Sequence, residues 1–148
     1  MPGVTDDSIL IRRFQEADRD AVIALWQRCG LVVPWNDPAR DIDRKLLVRP
    51  EWFLVGEWEG KVVATLMVGY EGHRGWLNYL AVDPQFRRCG IGRCLVARAE
   101  EILREAGCPK INLQVRAGNA AAIEFYRALG FQVDDLVSIG KRLVSDQP

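Results

Sequence analysis

Apolar residues in this chain fall into short runs of strand type and longer runs spaced at three and four residues. Ile9-Leu-Ile-Arg-Arg-Phe14 predicts a first strand. Ala21, Val22, Leu25, Trp26 and Cys29 then share one helical face, with Asp18 as the expected cap and Gly30 as the stop. Leu31 to Asn36 is a connector. Asp37 before Pro38 predicts an N-cap and a proline at the first helical position, and Ala39, Ile42 and Leu46 give that helix its apolar side. Trp52–Trp58 and Lys61–Tyr70 flank Glu59-Gly60, a two-residue hairpin signal. Glu71-Gly-His-Arg-Gly75 turns into Trp76–Val82, which Pro84 stops. Ile91, Leu95, Val96, Ala99, Ile102, Leu103 and Ala106 form the apolar face of a long helix. A short strand at Lys110–Val115, a helix at Ala120–Leu129 ended by Gly130, and strands at Phe131–Asp134 and Ser138–Val144 complete the order β-α-α-β-β-β-α-β-α-β-β. Residues 1–8 are expected to be a disordered lead-in, and 9–148 a single domain of mixed α+β class.

The charge balance narrows the partners. Twenty basic and twenty acidic residues cancel, so no global field draws the chain to nucleic acid or to an anionic membrane. No apolar run approaches the ~18 residues of a membrane span. Cys29, Cys89, Cys94 and Cys108 show no C-x-x-C spacing, and no secretory leader is apparent, so reduced thiols in the cytoplasm are the expectation. The same unpaired spacing argues against a zinc site built from Cys89, Cys94, Cys108 and His73, and no metal is expected.

The positive charge that matters is local. Trp76–Val82 runs through Asp83-Pro84-Gln85-Phe86 into Arg87-Arg88-Cys89-Gly90-Ile91-Gly92-Arg93, at the start of the long helix. Backbone amides at a helix N-terminus, two glycines and three guanidiniums make an anion site suited to phosphate. A P-loop would need Gly-Lys followed by Ser or Thr, and a dinucleotide fingerprint would need glycine at position 95, which is Leu. On the residues alone, a glycine-rich turn with solvated arginines fits the same pattern. Arg87-x-x-Gly90-x-Gly92 after a strand resembles the pyrophosphate loop of the GNAT N-acetyltransferases, which bind acetyl-coenzyme A. Asn119-Ala-Ala-Ala-Ile-Glu-Phe-Tyr126-Arg-Ala-Leu-Gly-Phe131 is similar to that family's second signature, and the element order matches from Ile9 to Val144. Trp35-Asn-Asp-Pro38 and Gly69-Tyr-Glu-Gly-His-Arg-Gly75 further resemble the small bacterial YpeA-type acetyltransferases.

The resemblance implies an acyl-CoA N-acyltransferase fold, with a mostly antiparallel, splayed sheet of six to seven strands flanked by four helices. It implies acetyl-CoA as co-substrate, held by Arg87, Arg88, Cys89, Gly90, Ile91, Gly92 and Arg93 and by Asn119. A bulged strand would bring the backbone of Leu80, Ala81 and Val82 to the pantetheine arm, one amide polarising the thioester carbonyl. Tyr126 is the expected general acid and cofactor contact; a core tyrosine would share its apolar helix face. No Asp or Glu lies in Trp76–Val82, and position 114 is Gln where related ribosomal-protein acetyltransferases carry Glu. The remaining candidates for a base are His73 and Glu71, or a water chain. Trp35, Asn36, Asp37 and Tyr70 are the acceptor-side candidates, since aromatic rings beside carboxylates suit a cationic amine. The expected reaction is direct attack of a primary amine within a ternary complex, by a monomer or homodimer. The alternative is an acyl-CoA-binding module without turnover.

Overall fold

The computed structural model describes residues 8–148, so residues 1–7 of the expected lead-in lie outside the described residues. The two most apolar runs form its centre. Strands β2 (Phe53–Trp58) and β3 (Lys61–Tyr70) pair antiparallel around Glu59 and Gly60, whose φ angles of 47° and 79° are the left-handed pair a two-residue hairpin requires. Strand β1 (Leu10–Arg13) adds to β2, and β4 (Gly75–Val82) to β3, all antiparallel. Strand β5 (Ile111–Leu113) adds to β4 in parallel.

Helices cover both faces, which is why β2 and β3 read as continuous apolar runs. Phe53, Val55 and Met67 face α1 (Arg19–Arg28) and α2 (Pro38–Leu46), meeting Val22, Leu25, Trp26 and Ile42. Leu54, Leu66, Val68 and Leu77 face α3 (Ile91–Glu105), meeting Leu95, Val96, Ala99 and Leu103. Asp37 caps α2 as its spacing predicts, accepting from the amides of Ala39 at 3.0 Å and Arg40 at 3.4 Å. Asp18 does not cap α1. Its carboxylate accepts instead from both terminal nitrogens of Arg12, at 2.8 and 2.9 Å, and from the Gln15 amide at 2.8 Å. A charged donor is the stronger partner, and the Arg12 guanidinium also holds this carboxyl below the usual range.

Among the described residues the sheet has five strands in the order β1-β2-β3-β4-β5, not six to seven. Phe131–Asp134 and Ser138–Val144 form no ladder, and Val133, Leu136, Val137, Ile139, Leu143 and Val144 are exposed. Apolar, β-branched composition marks a segment that can pair but supplies no partner, and β5 offers only three residues. Polar contacts hold the segment instead. Lys110 meets Asp134 at 2.9 Å, Gln114 donates to Ser138, and Arg142 donates to Asn36 at 2.7 Å. Asp146 is bound by Arg44 at 2.6 Å, by Arg142 at 2.8 Å and by the Asp37 amide at 3.0 Å. Those partners, Arg44 foremost, hold the Asp146 carboxyl well below the usual carboxylate range.

Candidate active site

Strand β4 carries two irregularities, and together they open the sheet. Thr65 pairs with Ala81 and Met67 with Asn78, so Tyr79 and Leu80 stand opposite Leu66 alone. This is a β-bulge, and Tyr79 sits in it at φ 53°. On the other side, β5 pairs with β4 only from Gly75 to Leu77. Among the described residues β4 therefore has no strand neighbour on its β5 edge from Asn78 to Val82, and its backbone groups along that edge need partners from elsewhere.

The open half of β4 leads into the arginine loop. Asp83 caps a short 3-10 turn over Pro84–Phe86, and the chain then passes through Arg88 at φ 65° and Gly90 at φ 81°. Such reversals of backbone hand line up successive amides into an anion-binding concavity. Gly90 is the N-cap of α3 and has no side chain to offer, and the amides of Ile91 and Gly92 have no partner within the helix. Arg87, Arg88 and Arg93 are exposed around them. A Cβ on Gly92 would lie 3.1 Å from Phe125 Cζ and 3.7 Å from Val82 Cγ2, so this glycine fits where β4, α3 and α4 (Ala120–Ala128) converge.

Helix α4 meets the end of β4 at Gly92, where Phe125 and Val82 converge. Asn119 caps it, accepting from the Ala122 amide at 3.1 Å, which leaves the side-chain NH2 for another partner. Tyr126 packs edge-on against Phe125, at 5.0 Å, and Phe131, at 5.4 Å. Burial among these rings pushes its phenol up to about 12. Cys29 reaches the end of β4 from α1, its thiol donating to the Val82 carbonyl at 3.3 Å. Burial pushes that thiol up, against the opposing pull of Arg87, so it is a poor thiolate.

The candidate bases are elsewhere. Glu71 accepts from the amide of His73 at 3.1 Å and from that of Arg74, so its carboxylate closes its own turn. That turn precedes β4. Leu80 is five residues beyond Gly75, roughly 16 Å along the strand. We therefore expect His73→Ala to leave the pH–rate profile of the enzyme unchanged; a profile altered by the substitution would return His73 to the chemistry.

The acceptor-side candidates divide. Trp35 is 48% exposed, with the Arg116 guanidinium 5.4 Å from its ring centre. Asn36 and Asp37 are engaged by Arg142 and Asp146, because a helix start needs its amides capped and the C-terminal segment crosses there. Tyr70 shares the face of Leu66 and Val68, toward α3, and its hydroxyl donates to the carbonyls of Gly72 at 3.3 Å and Gly107 at 3.4 Å. It is therefore on the opposite face of the sheet from α1 and α2.

Sequence reasoning passed over Thr65, Tyr79 and Asp41. Thr65 is fully buried in the apolar run Val62–Val68, and a buried hydroxyl needs a partner, which is the signal that pointed to it. A cavity of about 1050 Å³ lies between β5, α4, the end of α3 and the C-terminal segment. It touches Tyr126 but not the arginine loop, and occupies the space beside the free edge of β5.

Comparison with known proteins identifies the family and the fold. The family model described as acetyltransferase (GNAT) family matches residues 19–131. A protein named acetyltransferase from Pectobacterium atrosepticum is 49% identical over 137 residues, which cover 93% of this chain and 97% of that relative. The crystal structure of the ribosomal-protein-S18-alanine N-acetyltransferase from Escherichia coli superposes with a TM-score of 0.70 at 28% identity, over 84% of this chain and 77% of the other. The PaiA N-acetyltransferase from Thermoplasma acidophilum, solved in complex with coenzyme A, superposes with a TM-score of 0.70 at 20% identity, over 88% of this chain and 93% of the other. A bulged and splayed β4, a glycine-started α3 and a family match over most of the sequence belong together: this chain is a member of the GNAT acetyltransferase family, and an N-acetyltransferase.

Proposed function

We propose that the protein transfers the acetyl group of acetyl-CoA to a primary amine, of a small molecule or of a peptide or protein, by direct attack. The observation that carries this reading is the bulged end of β4, which β5 leaves unpaired and which runs into the arginine loop where Val82 and Phe125 of α4 meet Gly92. The amides of Ile91 and Gly92 and the guanidiniums of Arg87, Arg88 and Arg93 suit a pyrophosphate. Cys89, Gly90 and Asn119 complete that cradle. The backbone of Leu80, Ala81 and Val82 suits an extended amide-containing arm, which would pair with β4 as a missing strand does.

Acetyl-CoA supplies the acyl group as a thioester. The residues have three tasks. An amide of the bulge donates to the carbonyl oxygen of the acyl group, drawing electrons from the carbon under attack. Tyr126 gives its proton to the departing sulfur. The acceptor amine loses its proton to solvent or through a water chain, since Glu71 is spent in its turn and Gln114 is not a base. The raised Cys29 thiol disfavours an acyl-cysteine route, so attack by the amine itself is the simpler chemistry. No described helix is long and apolar enough to cross a membrane.

Thiol release from acetyl-CoA, measured over a panel of amines and peptide N-termini, tests the reading. We expect turnover with at least one amine class and a mass gain of one acetyl group on that amine. Tight acetyl-CoA binding with no turnover across the panel would favour the non-catalytic binding module instead.

A further inference from the structure

The bulge in β4 is built around a residue that does not suit it. Tyr79 holds φ 53°, a conformation glycine adopts freely and a bulky side chain resists. Such strain persists only where surrounding contacts over-determine the backbone. Here they do so from three elements. The Tyr79 ring stacks on Trp26 of α1, centroids 3.8 Å apart and planes 16° from parallel. Its hydroxyl donates to Asp41 Oδ2 of α2 at 2.6 Å. Its carbonyl accepts from Thr65 Oγ1 of β3 at 2.9 Å, and the same hydroxyl oxygen accepts from Trp26 Nε1 at 2.9 Å.

Peptide geometry turns these contacts into a consequence for the open edge. In a planar trans peptide the carbonyl of Tyr79 and the N–H of Leu80 point in opposite directions. A carbonyl tied to Thr65 on β3 therefore aims the Leu80 N–H away from β3, toward the splayed side of β4. A glycine in the bulge would carry no strain and would also have no ring or phenol to hold the peptide at that angle.

We propose that Thr65, with Trp26 and Tyr79, is a positioning residue that fixes the Leu80 amide as the donor to the acyl carbonyl. This rests on the acetyl-donor reading above. Thr65→Val keeps the shape of the side chain and removes its hydrogen bonds, so the Tyr79–Leu80 peptide is free to rotate. Only the acyl carbonyl should notice, because the pyrophosphate cradle is made by other residues.

The test is the infrared carbonyl band of ¹³C-acetyl-CoA bound to the protein, together with steady-state kinetics. The wild-type band is expected to shift to lower frequency on binding. In Thr65→Val the shift shrinks and kcat falls about 10-fold or more. The Kd of coenzyme A, which has no acyl carbonyl, stays within about twofold. Thr65→Ser restores both shift and rate. Tyr79→Phe keeps the stack, releases only the phenol, and gives a smaller change in the same direction; it serves where Thr65→Val does not fold. A wild-type shift that persists with full kcat in the variants overturns the inference alone. So does an equal loss of coenzyme A affinity and rate that serine does not rescue. A wild-type band that does not shift overturns the acetyl-donor reading and this inference with it.

Discussion

Tyr126→Phe is expected to slow turnover by on the order of 10²–10⁴ while coenzyme A binding stays nearly intact. The variant keeps the ring and its edge-on contacts with Phe125 and Phe131. Burial alone raises the phenol, with no charged or hydrogen-bonding partner contributing, so removing the hydroxyl should barely move stability. A phenol pushed up to about 12 looks a weak acid for a thiolate. The dry surroundings that raise it also disfavour a thiolate leaving beside it, so the two basicities rise together. The pH dependence carries the sign of that shift. The acid form of Tyr126 persists past the usual phenol value of ~10, so no loss of acid should depress the rate below pH ~10. Stability follows the same direction. The folded state resists ionising Tyr126, so its contribution is whole below pH ~10 and is lost as pH rises toward about 12. Alkaline unfolding of Tyr126→Phe should begin at higher pH than that of the wild type. A Phe variant with full turnover would leave Tyr126 as a core residue only.

Local chemistry carried much of this fold in the sequence. Asp37-Pro38 specifies a helix start with two neighbouring residues, and Glu59-Gly60 specifies a hairpin with two more, so both were legible and both formed. The long helix was legible because α3 packs one continuous face on the sheet. What escaped depends on contacts far apart in the chain. Tyr79 in Trp76–Val82 looks like any strand tyrosine, and its strained φ exists because Thr65, Trp26 and Asp41 hold it. The contacts that Asn36 and Asp37 make with Arg142 and Asp146 also escaped, because those partners lie more than a hundred residues later in the chain. The final strands escaped for the converse reason: their composition asks for a ladder, and the three residues of β5 do not extend one to them.

The face that Tyr70 takes was legible in a different way. Side chains alternate along a strand, and Tyr70 has the parity of Leu66 and Val68, so its place on the α3 face follows from theirs. Grouping it with Trp35, Asn36 and Asp37 followed side-chain chemistry, while the sheet sorts side chains by parity. The arginine loop and Tyr126 stand out as motifs in the sequence, yet the unpaired edge of β4 beyond Leu77 comes from the short pairing of β5, which no motif encodes.

Gly92→Asp is expected to cut coenzyme A affinity by more than about 100-fold, or roughly 2.7 kcal/mol. Two effects act in the same direction. The first is space: a Cβ at this position would stand 3.1 Å from Phe125 Cζ, 3.3 Å from Phe125 Cε1 and 3.7 Å from Val82 Cγ2, so any side chain wedges α4 away from the end of β4. The second is charge. An acidic residue in the first turn stabilises a helix by about 0.3–1 kcal/mol through its positive end, so α3 itself should form as well as before. That gain is what the ligand loses, because the carboxylate then occupies the field that would attract a pyrophosphate and repels it at close range. Gly92→Ala separates the two, since it adds the Cβ without the charge. We expect it to weaken binding by about 10-fold, an effect insensitive to salt, while the additional loss in Gly92→Asp shrinks as ionic strength rises and screens the carboxylate. Isothermal titration at two salt concentrations, with circular dichroism to verify α3, reads both parts. A folded Gly92→Asp protein that binds coenzyme A as tightly as the wild type would move the cofactor off this loop altogether.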